Sequence, residues 1–243
     1  MTQPYEPMPA DWQRVLCVVA HPDDLEYGPA CAIARWTAEG KFVAYAVVSR
    51  GEAGIATMKP ADTGEMRSAE QLRAAAAVGV HDVDFLDHPD GTIEYGLPLR
   101  RDLARSIRKY RPDILVTINF YERWRSGDWN TADHRNVGVA LLDAANDAGN
   151  PWVFPELADE GLEPWSGVRF LAVGGSPESG HAVDVTDGLA AGIEALAAHA
   201  GYLASLPPDN PMGDVAGYLT TKLTRFGERF GHVPAMPFEI IGI

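Results

Sequence analysis

Apolar positions along the chain follow two rhythms. Val15-Leu16-Cys17-Val18-Val19-Ala20 is a short, β-branched and unbroken apolar run, the pattern of a strand buried on both faces. Lys41 to Val48 repeats it, and Val83 to Leu86, Asp113 to Ile118 and Val168 to Val173 are further strand-like runs. Between them apolar residues recur at helical spacing. Pro29 to Trp36 is one such segment, and Gly64 to Val78 carries Met66, Ala69, Leu72 and Ala76 on one stripe. Leu99, Leu103, Ile107 and Tyr110 form another, ended by Pro112; Val137, Leu141, Ala144 and Ala148 form the next, which stops near Gly149. Leu189, Ile193, Leu196, Ala200 and Leu203 mark one more helix, and Phe238 to Ile243 reads as a final strand. Ser49 to Gly54 is a glycine-bearing loop, Asp87 to Gly91 a turn by composition, and Asn119 to Ala132 a long loop with no period.

Strands and helices in alternation predict an α/β fold, a mostly parallel sheet with helices on both faces. The length, 243 residues with 46% hydrophobic content, suits a single domain over 1–243, with a core over 12–200 and a C-terminal elaboration over 201–243. No internal repeat interrupts it. The net charge of −14, from 20 Lys+Arg against 34 Asp+Glu, argues against nucleic-acid partners and anionic membrane surfaces. Cys17 and Cys31 fall in a strand and a helix and read as small core residues. The first eleven residues have no apolar signal region and no later run is long enough to span a bilayer, so the expected location is cytoplasmic. The sequence leaves the oligomeric state open, a homo-oligomer included.

Chemistry concentrates at the ends of the strand-like runs. His21-Pro22-Asp23-Asp24 follows the first run and precedes a helix, where open α/β sheets bind ligands. A helix cap needs one aspartate, and two adjacent carboxylates repel unless a cation or donors offset them. His21 and Asp24 are spaced to converge on one cation, which leaves Asp23 for acid–base work. Asp133 and His134 open the helix after the 113–118 run, and a carboxylate beside a histidine is how metal-binding imidazoles are usually held in one tautomer. Two nitrogens and one carboxylate would leave a tetrahedral zinc one open position.

These features together resemble the PIG-L/LmbE-like deacetylase family. The resemblance rests on Ala20-His21-Pro22-Asp23-Asp24 after the first strand, the Asp133-His134 pair opening a later helix and the Rossmann-like order, and it covers most of residues 14 to 200. It implies one Zn²⁺ per chain held by His21, Asp24 and His134, Asp23 as general base, and a small N-acetylated substrate such as an N-acetylglucosaminyl compound. Arg67 and Glu70 match the family's Arg-x-x-Glu, with the arginine near substrate; a helix ion pair at that spacing is the competing reading. Asp90 matches a position near the sugar, with turn chemistry as its alternative. His88-Pro89-Asp90-Gly91 imitates the first motif, but Gly91 stands where a ligand would be, so His88 reads as a decoy or a pocket wall.

One departure matters. The family's second motif is His-x-Asp-His, and Thr131 stands in place of its first histidine, which stabilises the oxyanion or protonates the leaving amine. A hydroxyl can donate a hydrogen bond but is no acid near neutral pH. His181 resembles a later family histidine near the substrate, and the proton for the departing amine is expected from it or from protonated Asp23. Beside the expected N-deacetylase stand two alternatives: a thiol-conjugate amidase of the same family, and a weakened metal-binding regulatory module.

Overall fold

The computed structural model describes residues 3–243. Eight strands form one sheet: β1 (Glu6–Pro7), β2 (Arg14–Val19), β3 (Phe42–Val47), β4 (Asp82–Phe85), β5 (Ile114–Ile118), β6 (Phe170–Gly174), β7 (His181–Asp184) and β8 (Ala235–Gly242). Their order across the sheet is β1-β7-β8-β6-β5-β2-β3-β4. Only β8 runs antiparallel, against β6 on one side and β7 on the other. The helices are α1 (Ala30–Ala38), α2 (Pro60–Ala77), α3 (Leu97–Tyr110), α4 (Ala132–Gly149), α5 (Glu156–Asp159), α6 (Leu189–Ala197), α7 (Ala200–Ser205) and α8 (Val215–Gly227).

The fold is the expected one, and the unbroken apolar run in β2 shows why. Val15, Cys17 and Val19 point to one face, where they meet α1, α2, α6 and α8 residues such as Ile33, Ala74, Leu196 and Leu219. Leu16, Val18 and Ala20 point to the other, against Leu103 and Ile107 of α3 and Leu141 of α4. A strand covered on both faces has no polar side to alternate. Cys17 and Cys31 are both free and buried, small core residues as expected.

β2 is flanked by β3 and β5, and the chain leaves it in one direction towards β3 and reaches β5 only later. The crevice beyond the carboxyl ends of β2 and β5 is therefore a switch point of the sheet, the place where such folds bind ligands.

Several boundaries differ from the sequence pattern. The second helix begins at Pro60, whose fixed φ suits a first helical position, rather than at Gly64. The stripe from Leu189 to Leu203 is two helices, α6 and α7, interrupted at Ala198 and His199. Helix α8 and the short elements β1, β7 and α5 were not expected. The final strand starts at Ala235 and lies inside the sheet, so residues beyond 200 supply one of its interior strands. Among the described residues no helix is long and apolar enough to cross a membrane.

Candidate metal centre

Two loops meet at the switch point. The turn from β2 into α1 carries His21, Asp23 and Asp24; the end of the β5–α4 loop carries Asn130 and Thr131, and the first turn of α4 carries Asp133 and His134. His21 Nδ1 lies 3.2 Å from His134 Nε2, and His134 Nε2 lies 3.1 Å from Asp24 Oδ1. His21 Nδ1 is 3.6 Å from Asp24 Oδ2. Ligands on a tetrahedral zinc, at bond lengths of about 2.0–2.1 Å, stand about 3.3 Å apart. The donor set fits a small divalent cation.

The outer nitrogen of each ring is engaged elsewhere. His21 Nε2 sits 3.1 Å from Asp133 Oδ2 and 3.0 Å from Asp90 Oδ1, and so carries a proton between two carboxylates. His134 Nδ1 donates to Asn130 Oδ1 at 2.8 Å. These bonds assign the tautomers and leave His21 Nδ1 and His134 Nε2 as the atoms that face one another. Only a cation between them, a proton or a metal, makes that approach favourable. Burial works against a charged His21, but Asp133, Asp24 and Asp90 outweigh it and raise its pKa well above the ordinary value. Burial likewise opposes ionisation of Asp24, yet His134 and His21 hold its carboxyl far below the usual range.

Asp133 does not hold its neighbour His134, as the sequence pattern suggested. Adjacent residues on a helix point in different directions, and Asp133 turns to His21 while accepting from the amides of Gly91 at 2.7 Å and Ile93 at 3.1 Å. The partner of His134 is Asn130, one turn earlier, which the sequence reading passed over. His21, Asp90 and Asp133 also form a group with metal-ligand spacing. Their oxygens already accept from Gly91, Ile93 and Ala53 amides, which suits hydrogen-bond support for His21 better than a second ion.

Asp23 is buried and turned the other way, at φ 83°. Arg67 Nη2 donates to its Oδ2 at 3.0 Å, and among the described residues nothing donates to Oδ1. Burial pushes the Asp23 carboxyl up to about 7, with Arg67 pulling it down and Asp24 adding to the rise. Arg67 is itself buried and also donates to the carbonyls of Pro22 and Gly51. Its partner is Asp23 rather than Glu70, which accepts from the Gly201 amide at 2.6 Å, so the competing reading, a helix ion pair, is not formed. The Arg67 guanidinium also lies against the Tyr202 ring at 4.3 Å, and among the described residues its buried Nε has no hydrogen-bond partner.

Thr131 caps α4, its hydroxyl oxygen accepting from the His134 amide at 3.3 Å. His181 opens β7, four strands from β2, so their backbones stand about 19 Å apart at ordinary strand spacing. Among the described residues no hydrogen bond or ion pair joins His181 to His21, Asp24 or His134, and its Nδ1 is buried without a partner. His88 pairs with Asp102 at 3.1 Å and lines a cavity with Arg50, Glu52 and Asp87. Trp124 of the long loop packs edge-on against His134, ring centres 5.8 Å apart, and Trp129 stays 59% exposed.

The sequence profile of the family described as "PIG-L: GlcNAc-PI de-N-acetylase" matches residues 16–145. The diacetylchitobiose deacetylase of Thermococcus kodakarensis is 26% identical over 224 residues, spanning 91% of this chain and 80% of that protein. A 1D-myo-inositol 2-acetamido-2-deoxy-alpha-D-glucopyranoside deacetylase of Thermobifida fusca is 30% identical over 169 residues; the match takes in 58% of this chain and 59% of that protein, less than two thirds of its length. Among solved structures, the N,N'-diacetylchitobiose deacetylase of Pyrococcus horikoshii, in complex with an inhibitor, superposes at a TM-score of 0.83 and 25% identity, covering 95% of this chain and 84% of that one.

Proposed function

The chain belongs to the PIG-L (GlcNAc-PI de-N-acetylase) family, and from that premise we propose that it hydrolyses the N-acetyl group of a small N-acetylglucosaminyl compound, releasing acetate and a free amine. The relatives named above are deacetylases of a chitobiose and of an inositol glycoside, which supports an acetamido sugar as the reacting unit. One observation carries the reading: His21, Asp24 and His134 turn three donor atoms on one point, with a buried carboxylate of raised pKa beside them.

We assign the three donors to Zn²⁺, the ion that two imidazoles and one carboxylate suit. Bound there, it supplies Lewis acidity that polarises an amide carbonyl and brings the pKa of water towards ~7. Asp133 and Asp90 hold His21, and Asn130 holds His134, so both rings keep one tautomer and one direction. Asp23 Oδ1 takes the proton of the attacking water as its oxygen bonds to the acetyl carbon. A carboxyl of pKa about 7 both accepts and returns a proton near neutrality. Asp23 then gives that proton to the amine as the C–N bond breaks. Thr131 uses its oxygen for the cap and keeps its own proton to donate to the oxyanion. His181 receives no role, because among the described residues no hydrogen bond or ion pair joins it to the three donors.

The same reading makes the substrate a soluble small molecule of the cytoplasm. Incubating zinc-loaded protein with N-acetylglucosaminyl glycosides and amino-thiol conjugates tests it. Acetate and amine should appear in equal amounts from an acetamido sugar. Zinc bound without acetate release from any compound would leave only a metal-binding module.

A further inference from the structure

Behind Asp23 the protein buries polar groups that no step above uses. The left-handed backbone of Asp23, at φ 83°, is one that a non-glycine residue keeps only when its surroundings enforce it. Its amide donates to Gln71 Oε1 at 2.9 Å, and Gln71 Nε2 donates in turn to Glu26 Oε1 at 3.0 Å. The other oxygen of Glu26 faces His199 Nε2 at 3.5 Å, an ion-pair contact longer than a good hydrogen bond. Gln71 is 1% exposed, and Glu26 and His199 are 0% exposed. Among the described residues neither ring nitrogen of His199 has a hydrogen-bond partner, and the imidazole's polar contact is with Glu26.

The chain bends to bring His199 there. The helical stripe from Leu189 to Leu203 would run straight, but it breaks at Ala198 and His199. Helix α6 is pressed onto α1 so closely that a Cβ on Gly188 would strike the Cys31 carbonyl, and one on Gly192 the Cys31 Sγ. That approach sets His199 against Glu26, two residues past Asp24.

We propose that Gln71, Glu26 and His199 are positioning residues for Asp23, a buried relay that locks its left-handed turn and so separates its direction from that of Asp24. The logic is one of donors and acceptors. A carboxylate accepts only, so Glu26 draws the NH₂ of Gln71 and turns the amide oxygen towards Asp23. Flipped, the amide would set donor against donor. His199 places opposite charge beside Glu26, without which the buried carboxylate would be left unpaired on that side. If the turn relaxed, the neighbouring aspartates would lose their division between ligand and base. The inference rests on the proposed role of Asp23.

Gln71→Met, His199→Phe and His199→Gln, each zinc-loaded, test the relay by amide exchange and by turnover. Gln71→Met and His199→Phe should speed exchange at the Asp23 amide by about tenfold or more, with the amides of β2 unchanged. Their kcat should fall about 10–100-fold, the usual cost of losing an outer partner of a site residue, with KM unchanged. His199→Gln keeps a donor towards Glu26 and should recover most of both losses. Wild-type exchange at Asp23 in the first two variants overturns the relay, and so does faster exchange with full kcat. If His199→Phe fails to fold, Gln71→Met against His199→Gln decides. Should the wild-type protein turn over no substrate, the proposed function fails, and exchange alone still decides whether the relay holds the turn.

Discussion

His21 Nδ1 stands 3.2 Å from His134 Nε2, while the other nitrogen of each ring is already committed to a carboxylate or an amide oxygen. Two ring nitrogens, one from the turn after β2 and one from the first turn of α4, are thus held face to face by their outer partners. The arrangement stores its own preference for a cation, and it rests as much on Asn130, Asp133 and Asp90 as on the donors themselves.

Zinc content should follow that dependence. His21→Ala, Asp24→Ala and His134→Ala should each remove most of the metal, since three protein donors leave none to spare. Asn130→Ala should retain zinc but bind it about 10–100-fold more weakly, because His134 is then free to turn. Elemental analysis and competition with a chelator read both effects. Stoichiometric zinc in all three alanine variants would end the assignment.

The adjacent aspartates should separate cleanly. Asp23→Asn should keep fold and zinc and lose about two to four orders of magnitude in kcat, the worth of a positioned general base. Asp24→Asn should lose zinc first. The opposite pattern would mean that the two carboxylates have exchanged roles.

How much of this could be read beforehand follows from which interactions are local. Strands buried on both faces and helical stripes write their burial into successive residues, so the sheet was legible from Val15–Ala20 and its repeats. The motifs were legible because His21 and Asp24 directly follow β2 in sequence and His134 opens a helix beside Asp133. What escaped depends on distance. That Asp133 serves His21 rather than His134, that Arg67 serves Asp23, and that His199 breaks a helix to meet Glu26 are contacts between residues from 44 to over 100 positions apart. For His181 the missing knowledge is of the same kind: its resemblance to a family histidine does not reveal that β8 and β6 stand between β7 and the strands of the site.

Thr131 and His181 should accordingly part company. Thr131→Val removes both the cap and the hydroxyl proton. It should lower stability by about 1 kcal/mol and raise the barrier by at most about 2.7–4 kcal/mol, the range for one oxyanion donor. Thr131→Ser should restore both. His181→Ala should leave kcat unchanged, measured at saturating zinc. A loss in His181→Ala to match that of Asp23→Asn would bring the histidine back into the reaction.

Stability should depend on pH through His199. Burial opposes its charged form, but Glu26, together with Asp23 and Glu70, more than offsets that and raises its pKa above the ordinary value. The unfolded chain holds a histidine proton with a pKa of about 6.5. Below that value both states are protonated, and the full stabilisation from the charged ring is present. As pH rises through the higher folded value the folded protein must release a proton it held more tightly, and the stabilisation is lost. His199→Gln has no such proton to lose. The difference in unfolding free energy between wild type and His199→Gln should therefore be greatest below about pH 6.5 and shrink at higher pH. Denaturant titrations of both zinc-loaded proteins across that range measure it, with the pH dependence of metal binding common to the pair and cancelling in the difference. A difference that grows with pH would mean that His199 is neutral in the fold, holding Glu26 by shape rather than by charge.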